Sequence, residues 1–223
     1  MKTIGNRAYL TELAEIIDPA HTAVLVIDQQ NDFSHPKGYY AEVLKLDVSM
    51  TRALTAPINE LTAAARAKGA MVIFTQFVIG RGFTTDSPMW LGMHANAGLK
   101  SLDQERFYTV EGSWGAQLCE DVIVAPTDHI IRKYRSSAFK DTALEFLLKQ
   151  RGIKTLIIAG QVTEGCVENT IRASRDADYY TVLAKDAIGS TSKERHDRVM
   201  AGWLGRTPCP TTAEIVAVWS GGG

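Results

Sequence analysis

The stretch Thr22-Ala23-Val24-Leu25-Val26-Ile27, followed by Asp28-Gln29-Gln30-Asn31-Asp32-Phe33, decides the fold. Its first six residues are apolar or β-branched on both alternating faces, as in a strand buried on both sides of a parallel sheet. A polar run opening on an aspartate then stands where such a strand must end. Working outward, Ala70-Met71-Val72-Ile73-Phe74-Thr75, His129-Ile130-Ile131, residues 155–159 and residues 180–184 repeat the pattern, and residues 213–218 form a weaker sixth run. Between them Leu54, Ile58, Leu61 and Ala65 recur at helical spacing up to Lys68-Gly69, and Ala143, Leu144, Leu147 and Leu148 do so up to Arg151-Gly152. Val167, Ile171 and Ser174 mark a third helix and residues 194–204 a fourth. Alternation of strands and helices predicts right-handed crossovers and a doubly wound, three-layer α/β fold, its mostly parallel sheet holding about six strands.

The 223 residues carry 45% hydrophobic and 22% charged side chains, values of a globular chain and not of a disordered one. No linker or internal repeat divides them, so the expectation is a single domain over 1–223 with its core at about 20–218. With 24 basic and 25 acidic side chains, neither a nucleic acid nor an anionic membrane is an expected partner. No apolar run approaches the roughly 20 residues of a membrane span, and the start has no signal-peptide core, so a cytoplasmic protein is expected. Three cysteines, Cys119, Cys166 and Cys209, without Cys-x-x-Cys spacing, form neither a disulfide framework nor a zinc site. The stretch 78–117 is the least regular and reads as a long excursion over the sheet edge.

Open parallel sheets bind ligands beyond the carboxyl ends of their strands. Asp28 follows the first strand, Gln76 and Phe77 the second, Lys133 the third, and Gly160-Gln161-Val162-Thr163-Glu164-Gly165-Cys166 the fourth. One carboxylate, one lysine and one thiol therefore meet at one edge. Cys166 at a helix start is a candidate nucleophile, Asp28 its general base, and Lys133 the cation that holds the carboxylate and favours a thiolate. Acyl transfer through a thioester is the reaction class, with backbone N–H groups before Cys166 as oxyanion donors. Read blandly, the same residues are a core thiol, a loop cap and a solvated basic turn, on a non-catalytic binding module.

Residues 24–33, Lys133-Tyr134-Arg135-Ser136-Ser137-Ala138-Phe139, and Ile158-Ala159-Gly160-Gln161-Val162-Thr163-Glu164-Gly165-Cys166-Val167 together resemble the signatures of the isochorismatase-like cysteine hydrolases. The resemblance implies an Asp28, Lys133, Cys166 triad. It also implies a cis peptide at Gln161–Val162 that turns the Val162 N–H towards that of Cys166 to form the oxyanion site.

Nicotinamidase-like members carry a metal-binding aspartate–histidine–histidine set after the second strand, whereas this chain has Gln76-Phe77-Val78-Ile79-Gly80-Arg81-Gly82. Asp32 and His35 alone fall short of a ligand set, so no metal and no cofactor are expected. Gly38-Tyr39-Tyr40, Leu46-Asp47-Val48-Ser49 and Glu111-Gly112-Ser113-Trp114-Gly115-Ala116-Gln117-Leu118 are similar to the ureidoacrylate and biuret amidohydrolase branch. The expected function is cysteine-dependent cleavage of a C–N bond in a small carboxamide or carbamoyl compound, releasing ammonia or a carbamate fragment. The alternative is an isochorismatase-type vinyl-ether hydrolase. Gln29, Phe33, Gln76, Phe77 and Trp114 are the expected pocket residues, with Trp90 as a further wall. The resemblance also implies a homo-oligomer, a dimer or tetramer, with contacts sought in the 78–117 excursion.

Overall fold

A computed structural model of the chain describes residues 1–96 and 107–221. Two short strands, β1 (Lys2–Ile4) and β2 (Arg7–Tyr9), form an exposed hairpin that the periodicity did not predict. The main sheet holds β3 (Thr22–Ile27), β4 (Met71–Phe77), β5 (His129–Lys133), β6 (Thr155–Gln161) and β7 (Tyr180–Gly189), all parallel, in the order β5-β4-β3-β6-β7. It has five strands where about six were expected. The helices that matter below are α1 (Thr55–Ala67), α2 (Pro88–Asn96), α3 (Leu144–Gln150), α4 (Glu168–Asp176), α5 (Lys193–Trp203) and α6 (Thr212–Ser220).

The alternation along β3 separates the two cores. Val24 and Val26 face Ile58, Leu61 and Ala65 of α1 and Ile215 and Trp219 of α6. Ala23, Leu25 and Ile27 face Leu144 and Leu148 of α3, Ile171 of α4, and Val199 and Trp203 of α5. The result is the three-layer α/β sandwich expected from the strand pattern.

The missing sixth strand is α6. Residues 213–218 look β-branched, but Thr211 accepts the Glu214 N–H while the Glu214 carboxylate takes the Thr211 N–H, a closed capping box. Ile215 and Trp219, four apart, then bury on one face, and the Trp219 indole donates to the Ile17 carbonyl at 2.7 Å. A capped helix with an anchored apolar stripe outweighs a short strand propensity.

The chain runs from β3 outward to β4 and β5, then returns to lay β6 on the other side of β3. The crevice between β3 and β6 is thus the point where the winding reverses. Ile27 pairs with Gly160 there, and a Cβ on Gly160 (φ +108) would overlap the Ile27 carbonyl, so glycine is required for the two ends to meet.

Candidate active site

Several strands run further than their apolar cores indicate: β4 includes Gln76 and Phe77, β5 includes Lys133, and β6 includes Gln161. Phe77 pairs in register with Lys133, which places both at the carboxyl edge. Asp28 leaves β3 in the left-handed region (φ +48), a conformation that aspartate tolerates better than most residues. Its N–H donates to Thr75 Oγ1 at 3.2 Å, and the Thr75 hydroxyl donates back to Asp28 Oδ1 at 2.6 Å. The other oxygen, Oδ2, lies 2.7 Å from Lys133 Nζ, and the two side chains are 1% and 0% exposed. Carbonyls of Arg135 and Ser136 accept from the same ammonium at 3.1 Å each. The buried ammonium thus has two carbonyl acceptors and a counter-ion, which offset the cost of taking it out of water.

The turn that carries Cys166 is a π-helical segment, Thr163–Val167, entered through a cis Gln161–Val162 peptide. Cys166 is half-buried, and its thiol reaches the side chains of both Asp28 and Lys133. Asp28, Lys133 and Cys166, drawn from three strand ends, are therefore brought together. Burial pushes the thiol up to about 12, with Lys133 pulling it down and Asp28 pushing it further up. Burial alone would lower Lys133, but the charges of Asp28 and Cys166 outweigh it and hold the ammonium raised. The site is thus a raised thiol beside the Asp28–Lys133 ion pair.

Gln161 ties the two edges of the crevice. Its amide nitrogen donates to the Asp28 carbonyl at 3.1 Å and to Gln29 Oε1 at 3.0 Å. Gln29 donates in turn to the Thr51 carbonyl at 2.9 Å and Thr55 Oγ1 at 3.3 Å. Both ends of the Gln29 amide are engaged in the scaffold, so the expectation that it faces ligand is corrected. Gln30, which the sequence did not single out, pairs with both the N–H and the carbonyl of Phe77 at 2.8 and 2.9 Å, aligning the β3 and β4 ends. Gln76 is half-buried and donates to the Ala116 carbonyl at 3.2 Å.

The wall of the site is aromatic. Phe33 and Phe77 are buried, and Phe77 lies under Lys133 Nζ at 5.0 Å. Tyr108 stacks on Phe77 at 6.1 Å and meets Phe33 at 5.8 Å, while Tyr40 packs on Phe33 at 4.9 Å. Burial, and then the charge of Cys166, raise the Tyr40 phenol. Tyr40 belongs to the Gly38-Tyr39-Tyr40 stretch noted in the sequence, whereas Tyr108 carries no motif signal beyond aromatic content, so only the fold reveals it. Trp114 is 38% exposed and stands edge-on to His35 at 5.0 Å. Asp32 and His35 do not converge as ligands. Asp32 accepts from Tyr39 N at 3.0 Å and Thr109 N at 2.6 Å, and His35 Nδ1 accepts from Lys37 N at 3.0 Å.

A family model described as the isochorismatase domain matches residues 22–213. A cysteine hydrolase from Pseudomonas syringae pv. phaseolicola 1448A superposes with a TM-score of 0.79 at 26% identity, over 93% of this chain and 96% of its own. N-carbamoylsarcosine amidase from Thermoplasma acidophilum is similar in fold, with a TM-score of 0.66, 18% identity, and 86% and 96% coverage. Nicotinamidase from Bacillus subtilis is comparable, with a TM-score of 0.67, 23% identity, and 85% and 98% coverage.

Proposed function

The chain belongs to the isochorismatase family, and from that premise we propose that it is a cysteine-dependent amidohydrolase acting on a C–N bond of a small carboxamide or carbamoyl compound. The observation that carries this reading is the buried Asp28–Lys133 ion pair at 2.7 Å with the Cys166 thiol in reach of both. Asp28 takes the thiol proton as sulfur attacks the carbonyl carbon. Lys133 keeps the new negative charge of the thiolate tolerable, and the N–H groups of Val162 and Cys166 receive the oxyanion. Collapse breaks the C–N bond, and Asp28 returns its proton to the leaving nitrogen. Water then loses a proton to Asp28, attacks the thioester, and expels sulfur, which regains the proton from Asp28. A carbamoyl substrate leaves as a carbamate fragment.

The raised thiol supports proton transfer in concert with attack. Burial raises the thiol above its ordinary value, which favours a base that acts in the step itself. Amide chemistry is favoured over vinyl-ether chemistry because a vinyl ether needs no sulfur nucleophile, yet the thiol stands at the centre of the charged pair. The test is an ammonia-release screen of biuret, ureidoacrylate, carbamoyl amino acids, maleamate and nicotinamide, run beside Cys166→Ala. The expected result is turnover of at least one carbamoyl or carboxamide compound, with a loss of about 10³-fold or more in the variant and substrate binding kept. Isochorismate turnover that survives Cys166→Ala would overturn the reaction class, and release from nicotinamide alone would overturn the carbamoyl preference.

A further inference from the structure

The two sides of the turn that carries Cys166 are held by different means. On its C-terminal side the next helix supplies the ties: the Thr170 hydroxyl donates to the Cys166 carbonyl at 2.7 Å, and the Asn169 amide donates to the Gly165 carbonyl at 2.9 Å. The N-terminal side is met by a distant part of the chain. Gly189, the last residue of β7, pairs with Gln161, and the chain then enters α5, whose cap Ser192 accepts the Arg195 N–H at 3.3 Å. In the first turn of α5, Arg195 Nε lies 3.3 Å from Glu164 Oε1, and His196 Nδ1 lies 2.8 Å from Thr163 Oγ1. Val199, Met200 and Trp203 of the same helix are buried in the core, so α5 is a fixed support.

The two contacts from α5 differ in weight. The Arg195 and Glu164 side chains are 50% and 17% exposed, and solvent screens such a pair. Thr163 is fully buried, and His196 is the only partner of its hydroxyl among the described residues. A hydroxyl taken out of water and left unpaired is costly, so the ring fixes where Thr163 sits. The bond forms whichever group supplies the proton, because a hydroxyl both donates and accepts. We propose that His196 is a positioning residue: through the Thr163 hydroxyl it fixes the turn that carries Cys166 and the Val162 N–H. This rests on the amidohydrolase reading above and adds to it. Thr163 stands one residue after Val162 and three before Cys166. A displacement of about 1 Å there takes the sulfur and the oxyanion donors out of line with the reacting carbonyl, and the chemical step slows.

Two variants separate the bond from the space the ring fills. His196→Asn puts an amide atom where Nδ1 stood, able to donate or accept, whereas His196→Leu fills space without a bond. Ammonia release is followed with the most active compound of the screen above. His196→Leu should lower kcat about 10- to 100-fold with KM within about twofold of the parent, and His196→Asn should restore most of the loss. Thr163→Val should match His196→Leu, and the two together should cost no more than either alone. Hydrogen exchange read by mass spectrometry needs no substrate. The amides of residues 162–166 should exchange about tenfold faster in His196→Leu than in the parent, and at the parental rate in His196→Asn, with β6 and β7 unchanged. General loosening would instead speed exchange along both strands and lower the melting temperature. Equal kcat in the two His196 variants, or additive losses in the double variant, would overturn the assignment, as would unchanged exchange in His196→Leu. If the parent hydrolyses none of the screened compounds while exchange follows this pattern, the amidohydrolase reading falls and the hold of His196 on the turn stands.

Discussion

Cys119 and Cys166 sit in two regions of the molecule that treat a thiol in the same way up to a point. Cys119 packs in the core between β3 and α1, and burial pushes it up to about 11. Cys166 is pushed up to about 12 by the same cause. Burial therefore does not separate Cys119 from the proposed nucleophile. The difference lies in what faces the sulfur: a buried carboxylate that can take the proton and an ammonium that can hold the charge. The low-dielectric surroundings that suppress free thiolate also strengthen that ion pair.

The sharpest way to break the comparison is Asp28→Asn. Under the proposed mechanism it removes the proton acceptor, and turnover should fall by about 10²- to 10⁴-fold. Peptide mapping after brief iodoacetamide treatment at neutral pH reports the same point without substrate. Burial raises both thiols, so thiolate fraction alone gives Cys166 no lead. Cys166 should nevertheless be modified first in the parent, and that lead should vanish in Asp28→Asn. Modification of Cys119 first in the parent would show that Asp28 does not activate the sulfur.

A smaller effect is expected at Thr75, whose hydroxyl donates to Asp28 Oδ1 at 2.6 Å. Thr75→Val keeps the shape and removes the bond. It should lower kcat about tenfold with little change in KM, because the group orients the base and does not touch substrate. A change confined to KM would place Thr75 in the binding wall instead.

The smallest effect is on stability at alkaline pH. Both thiols ionise above their ordinary value in the folded state, so the unfolded chain loses these protons first. The stabilisation is therefore complete below about pH 9 and declines as pH rises towards 11, by at most about 1.4 kcal/mol per pH unit for each thiol. Denaturant melts at pH 8.5 and 10.5 should show a smaller decline for Cys119→Ala than for the parent. Equal declines would mean that Cys119 does not contribute.

The difference between the two thiol regions was partly legible in the residues themselves. Asp28, Lys133 and Cys166 each end an apolar run, and a parallel sheet gathers such ends at one edge, so their meeting follows from alternation and topology. The pocket was less legible. Gln29 has the right position, yet its amide braces Gln161 and Thr51, partners 132 and 22 positions away that no local pattern records. Trp114 has the right chemistry, and its ring stands edge-on to His35, a contact that spacing does not record.

By itself the sequence determined what depends on local pattern: buried strands, the helices between them, and the polar residues that terminate each run. Tertiary structure alone decided what depends on distant partners. Residues 213–218 became a helix because Thr211 and Glu214 cap it and Ile17 receives Trp219. Tyr108 faces Phe77 and Phe33, 31 and 75 positions away in the chain, and its hydroxyl meets His94 Nδ1. Periodicity records which side of an element is apolar, whereas a hydrogen bond's direction is set by whichever group across the gap has a proton to give.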